Sequence, residues 1–392
     1  MKNNLVFLTE LRFYSDEFND IYFDKDFDIN IWDNYLFYYE KITVLARVKK
    51  TTKAMLIGYM KNNNDRVNFV SLPYYVGLKE LIFKRRTLIK RIKYTLEEHR
   101  DSPVILRVPG VIGFYAANFL KKRGALYGIE VVGDPCEVFS GENFDHPLRL
   151  ILQKTAVKQL KYTIKHASSI VYVTNSDLQK KYPPRSNSEK FAISNVRIAD
   201  NFIASNPKMH YEKQEYNILC IGSLAQMYKG ADVMLEALSY INTKNPDFNI
   251  KLIWLGDGVH KAEMQLLAKS LSIETMVSFL GNVNTETVLD KMNSSDLLVH
   301  PSRTEGLPRV IIEAMSRGLP VVATNVGGIP ELLEEKAMVN KNNSKELALK
   351  IIEVLSSSDL YNQQADRNLK FSVFFRQDNL NDKRQLFFNS LK

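Results

Sequence analysis

The chain has 392 residues, 45% of them hydrophobic and 25% charged, with a formal net charge of +9. That length suits two compact domains, and no run approaches the 18 or so apolar residues of a membrane-spanning helix. Cys136 and Cys220 lie too far apart in sequence to suggest a disulfide framework.

The opening stretch carries one lysine and then a short apolar run before Glu10, too little for a signal-peptide core, so a reducing cytoplasm is the expected compartment. Residues 1–200 hold 32 Lys+Arg against 22 Asp+Glu, so the whole positive excess sits in the first half. Residues 51–100 alone hold 11 basic and 4 acidic residues. A face of that kind suits phosphate groups, lipid headgroups or nucleic acid.

In chain order, short apolar runs alternate with longer amphipathic stretches. The runs are NLVFLT (4–9), ITVLARV (42–48), PVILRV (103–108), IEVVG (129–133), SIVYVT (169–174) and FAISNV (191–196). They resume with YNILCIG (216–222), IKLIWLG (250–256), VSFLG (277–281), LLVHPS (297–302) and PVVAT (320–324). Brief Val/Ile-rich runs ending in Gly, Ser, Thr or Pro read as buried parallel strands. Helical patterns such as 230–244 and 260–273 lie between them, which predicts α/β domains with helices on both sheet faces.

The stretch LIFKRRTLIKRIKYTLEEHR (81–100) predicts a helix with Leu81, Leu88, Ile92 and Leu96 in one stripe. Lys84, Arg85, Arg86, Lys90, Arg91 and Lys93 supply its charge. It reads either as a membrane-surface helix or as a core-packed helix with a solvated basic face. The polar stretch 199–216 reads as a linker. The expected domains are 1–205, 206–375 and a terminal helix over 376–392 that packs back on the first domain.

The most informative stretch is HPSRTEGLPRVIIEAM (300–315). A strand ends, a loop carries Glu305, and Pro308 suits the first position of a helix that carries Glu313. Free amides over 306–310 would form an anion site at the helix start, and Gly306 lets a ligand approach the backbone. Glu305 could reach hydroxyls of a group attached to a bound phosphate, and Glu313 could accept hydrogen bonds from a ribose. Taken alone, both glutamates could equally be ordinary helix charges. Lys229 adds weight, because a cation at a helix start opposes the dipole unless it neutralises a bound diphosphate.

The ordered set IGSL, YKG, LIWLGDG, VSFLGNV and SDLLVHPSRTEGLPRVIIEAMSRGLPVVATNVGGIPEL resembles the C-terminal domain of the family 4 glycosyltransferases of the GT-B fold. The likeness spans about residues 216–335. In the first half, ARV (46–48), 107–135 and 166–184 resemble, more narrowly, the transferases of bacterial surface polysaccharides. The resemblance implies two Rossmann-like domains facing across a cleft, with the acceptor on the first and a nucleotide sugar on the second. It implies a retaining, metal-independent hexosyltransferase using a UDP-sugar as co-substrate, with no bound cofactor.

On this resemblance Glu305 would hold the transferred sugar, Glu313 the nucleotide ribose and Lys229 the diphosphate. Amides around Gly306, Leu307, Arg309 and Val310 would bind sugar and phosphate, Gly222 and Ser223 would line the donor site, and Asn282 would lie near the base. Ser223 stands where many members have arginine, and the first loop, TELRFYSDEF, has no glycine. VVGDP stands where many have a His-Asp pair, which leaves Asp134 as the candidate acceptor-side catalytic residue; a turn cap with Pro135 is the alternative.

The expected acceptor is a saccharide, lipid-linked, in capsule, O-antigen or exopolysaccharide synthesis. The expected location is the cytoplasm, peripheral to the inner face of the plasma membrane, with no nucleic-acid partner. The runner-up is a catalytically silent GT-B subunit that stabilises a partner transferase; a sugar-nucleotide epimerase is a third reading. The Asp24–Asp26 stretch DKD reads as surface, GDG (256–258) as a turn, and the histidines show no metal-ligand spacing.

Overall fold

The structure is a computed structural model describing residues 4–24, 29–139, 146–196, 198 and 202–391. Lys25 and Asp26 of the DKD stretch, and linker residues 199–201, lie outside the described residues. The chain divides into two compact units. The first comprises Met1–Cys136, Pro147–Ile193 and Asn381–Lys392; the second comprises Glu137–His146 and Ser194–Leu380.

The strands of the first unit are β1 (Asn4–Ser15), β2 (Ile21–Phe23), β3 (Lys41–Lys50), β4 (Met60–Lys61) and β5 (Val67–Pro73). They continue with β6 (Val104–Val108), β7 (Gly128–Val131), β8 (Ser169–Tyr172) and β9 (Glu189–Ala192). Pairing gives the parallel order β5-β3-β1-β6-β7-β8-β9, with β2 and β4 added antiparallel beside the far end of β1. The register of β1 against β3 shifts between Leu8 and Arg12, a bulge.

Alternation along β1 builds two cores. Val6 and Leu8 pack with the buried residues of α1 (Gly77–Glu98), α2 (Val111–Arg123) and α3 (Arg149–His166). Phe7 turns the other way, edge-on to Trp32 at 5.7 Å and tilted against Tyr35. The terminal helix Gln377–Asn389 closes that side, with Phe388 against Tyr35, Tyr38 and Tyr39. Leu88, Ile92 and Leu96 of α1 are fully buried, so the apolar stripe read from the sequence faces the core and is not a lipid-binding surface.

The second unit has β10 (Tyr216–Ile221), β11 (Ile250–Leu255), β12 (Val277–Gly281), β13 (Leu297–His300), β14 (Val321–Thr324) and β15 (Met338–Val339). They form one parallel sheet in the order β12-β11-β10-β13-β14-β15. Residues of β10 again alternate between two cores. Ile218 and Cys220 meet the face covered by α4 (Ala231–Lys244), and Leu219 meets the face covered by α5 (Arg309–Ser316). A fully buried Ile such as Ile311 or Ile312 contributes about 1.5–3 kcal/mol relative to exposure. The strand order reverses between β10 and β13, and ligands of such sheets bind beyond the strand ends at that switch point.

Candidate active site of the second unit

The loops leaving β10 and β13 meet at this switch point. After β10 the chain makes a short turn, Met227–Lys229, before α4 starts at Ala231. After β13 it runs through Glu305 to Pro308, which sits one place before the first helical residue of α5 rather than inside it. The amides of the first turn of α5 have no intrahelical acceptor.

Lys229 Nζ lies 2.6 Å from Glu305 Oε1, the two side chains 16% and 9% exposed. The lysine stem runs over Gly222, where a Cβ would lie 2.9 Å from Lys229 Cγ. Any side chain at 222 would therefore displace it. Gly327 has φ +54°, and a Cβ there would collide with the Glu305 carbonyl oxygen at 1.8 Å. The Glu305 loop is thus packed directly on backbone.

Glu305 has a second partner. His300, the last residue of β13 and 2% exposed, places Nε2 2.7 Å from the same Oε1. Ser302 Oγ lies 3.0 Å from that ring nitrogen. Burial alone would raise the Glu305 pKa, but the charges and hydrogen bonds of His300 and Lys229 outweigh it and hold the carboxyl at about 2. Glu305 is therefore an anion at any physiological pH.

Glu313 lies on α5 with Oε1 accepting from Arg309 Nε at 2.6 Å. Ser223 Oγ donates to the Asp257 carbonyl at 3.3 Å and accepts from the Ala225 amide at 3.2 Å. Asn282 is exposed just after β12. Leu307 and Val310 are half-buried and pack against the core on the α5 side, and the Gly306 carbonyl accepts from the Gly328 amide at 2.7 Å.

Asp134 belongs to the first unit and is buried. Its Oδ1 accepts from the Cys136 amide at 2.8 Å and from the Tyr182 hydroxyl, and its Oδ2 lies 3.2 Å from Lys181 Nζ. This is turn-cap geometry, the alternative left open by VVGDP. Burial first, then Asp134, push the Tyr182 hydroxyl far above its usual pKa.

Two residues of the site escape the sequence reading. His300 is one; Arg303 is the other. Arg303 forms a fork with Asp232 of α4, Nη1 to Oδ1 at 2.9 Å and Nη2 to Oδ2 at 2.7 Å. Its Nη1 also donates to the Met227 carbonyl at 2.6 Å, and its amide to the Tyr228 carbonyl at 2.7 Å. Arg303 thereby clamps the turn that carries Lys229. Arg303→Ala should weaken nucleoside diphosphate binding by about tenfold, from loss of charge-assisted bonds that fix the turn. Arg303→Lys should rescue little, because one ammonium cannot reproduce the fork. Unchanged affinity in a folded Arg303→Ala protein would remove Arg303 from the site.

Residues 203–371 match the family model described as Glycosyl transferases group 1. Protein CapJ of Staphylococcus aureus is 32% identical over 361 residues, covering 90% of this chain and 86% of that protein. An uncharacterized glycosyltransferase of Haemophilus influenzae is 35% identical over 46% of this chain and 51% of its own length. Among solved structures, Anabaena Alr3699/HepE in complex with UDP superposes with a TM-score of 0.70 at 17% identity, over 99% of this chain and 100% of that one. With the site built at the switch point of a six-stranded parallel sheet, these matches identify the chain as a GT-B glycosyltransferase of the group 1 family.

Proposed function

We propose that this protein is a retaining transferase that moves a hexose from a UDP-sugar to a lipid-linked saccharide acceptor in surface-polysaccharide synthesis. The observation that carries this reading is the Lys229–Glu305–His300 cluster beside the start of α5. A part-buried cation beside a helix start suits a diphosphate. A carboxylate held ionised beside them suits the hydroxyls of the attached sugar. The relatives support the substrate class: HepE is solved with UDP, and a further relative carries the name O-antigen biosynthesis glycosyltransferase WbnH.

In this reading Lys229 changes partner. Without donor its ammonium is neutralised by Glu305; with donor it turns its charge toward the diphosphate. Glu305 then accepts from the sugar hydroxyls and keeps its hydrogen bond from His300. Glu313, freed from Arg309, takes the ribose hydroxyls, and Asn282 lies on the base side. As the bond from the anomeric carbon to the diphosphate oxygen breaks, negative charge builds on the leaving group. Lys229 and the amides near Leu307, Arg309 and Val310 stabilise it without a metal ion. The acceptor oxygen attacks from the same face, and its proton passes to the leaving phosphate. The acceptor is recognised by the first unit, where Asp134 orders the Tyr182 and Lys181 side chains.

The test is transfer from a panel of UDP-sugars to lipid-linked oligosaccharide, in chelator, with the product's anomeric configuration read by NMR. Transfer with the donor configuration kept is expected. An inverted product, or transfer that requires an added metal, would overturn the corresponding part of the reading.

A further inference from the structure

The first unit has a switch point of its own, between β1 and β6. It is already filled. Glu10, in the bulge of β1, reaches the start of α2: its Oε1 accepts from the Ile112 amide at 2.7 Å and its Oε2 from the Tyr75 hydroxyl at 2.8 Å. The Arg47 guanidinium lies 3.4 Å from the same Oε2 and donates to the Glu10 and Tyr75 carbonyls. The carboxylate packs so closely on Gly110 that a Cβ there would lie 2.1 Å from Glu10 Cγ. The glycine-free first loop thus supplies its own anion to the helix start, and a ligand of this unit must lie further out.

Further out, β1 and β3 run on past their helix cover. On the face of Leu8 and Leu45, which belong to the helix-covered core, β3 continues with Arg47 and then Lys49. The register sets Arg12 beside Arg47 and Tyr14 beside Lys49. The result is a shelf. Tyr14 stands edge-on to Tyr59 with ring centroids 4.9 Å apart, and Lys49 Nζ lies 5.9 Å from the centre of the Tyr74 ring. All three tyrosines are half-buried, so each is anchored and still meets solvent. Arg12 and Lys49 are exposed and have no ion-pair partner among the described residues. Glu80, the acid near Lys49, is paired with Lys84 at 2.9 Å.

Anchored tyrosines offer an apolar ring face and a hydroxyl together, which matches the C–H faces and hydroxyls of a sugar. Two unpaired cations beside them call for negative charge on the same ligand. A bare phosphate would use the cations and leave the rings idle; a neutral sugar would do the reverse.

We propose that this shelf binds an acidic saccharide, with sugar rings against Tyr14, Tyr59 and Tyr74 and the anionic group held by Arg12 and Lys49. This deepens the saccharide-acceptor reading and rests on it for the ligand's role, but binding is measured without donor or turnover, so either can fail alone. The experiment is calorimetric titration of the full chain with tetragalacturonate and with its carboxyl-reduced, neutral counterpart. The acidic tetrasaccharide is expected to bind at least about tenfold tighter, by a margin that shrinks as salt is added. Arg12→Ala with Lys49→Ala should bring it down to the level of the neutral one. Tyr59→Ala with Tyr74→Ala should weaken it several-fold while leaving the salt dependence. Lys158→Ala, on the basic helix α3, should change nothing. An unchanged unfolding midpoint checks that each variant is folded. No binding of the acidic tetrasaccharide, equal binding of the two, full affinity in Arg12→Ala with Lys49→Ala, an equal loss in Lys158→Ala, or displacement by pyrophosphate at matched ionic strength would overturn the proposal.

Discussion

Glu305→Gln is expected to lower transfer by roughly a hundredfold or more while leaving UDP binding as tight as in the wild type, or tighter. The two effects separate because the proposed mechanism gives Glu305 two opposed roles. In the proposed mechanism it is, toward the sugar, an acceptor whose charge matters as positive charge grows at the anomeric carbon. Toward Lys229 it is a rival of the diphosphate, since its Oε1 lies 2.6 Å from the ammonium. Glutamine keeps the size and an acceptor oxygen but removes the rival charge. Steady-state kinetics beside calorimetry reads both halves. If Glu305→Gln loses nucleotide affinity and turnover in proportion, Glu305 is a structural support of the binding site and not a partner of the transferred sugar.

Lys229→Ala should show the opposite pattern. Its main loss is nucleoside diphosphate affinity, because charge-assisted hydrogen bonds contribute about 1.5–3 kcal/mol, roughly ten- to a hundredfold. The substitution also leaves the buried Glu305 carboxylate without its ammonium partner, with the His300 ring as its remaining contact on that oxygen. Some loss of thermal stability should therefore accompany the loss of affinity. Added UDP should restore less of that stability in Lys229→Ala than in the wild type. Wild-type affinity for UDP in the folded variant would show that the diphosphate sits elsewhere.

Much of this architecture is legible in the sequence, for physical reasons that differ by element. Runs such as YNILCIG and LLVHPS are buried on both sheet faces, so they are apolar throughout and easy to read. The edge strand β5 (Val67–Pro73) escapes notice, because much of VNFVSLP is only part-buried and its pattern is diluted by Asn68 and Ser71. The two-residue strands β4 and β15 are too short to show any period. The helix over 81–100 is legible, but the direction of its apolar stripe is not: periodicity shows a face, and only the tertiary fold shows what covers it.

The site divides in the same way. Lys229 and Glu305 are visible because each is an unusual charge beside a helix start, and the motif resemblance adds their roles. That they touch across 76 residues is not visible. His300 reads from the sequence as one more strand residue, and a search for metal-ligand spacing passes over a histidine whose partner is a carboxylate five residues on. Arg303 and Asp232 are 71 residues apart, so their fork is a product of the β10–β13 switch point and has no local signal. Asp134 shows the converse: a residue conspicuous beside proline whose oxygens turn out to be engaged by Cys136, Tyr182 and Lys181.

The most direct test of the account is calorimetric titration of the purified full chain with UDP, GDP and ADP in the presence of chelator. Preferential binding of UDP that needs no added metal is expected. Binding of no nucleoside diphosphate by folded protein would contradict it, and would leave a non-catalytic partner subunit as the better description of this glycosyltransferase fold.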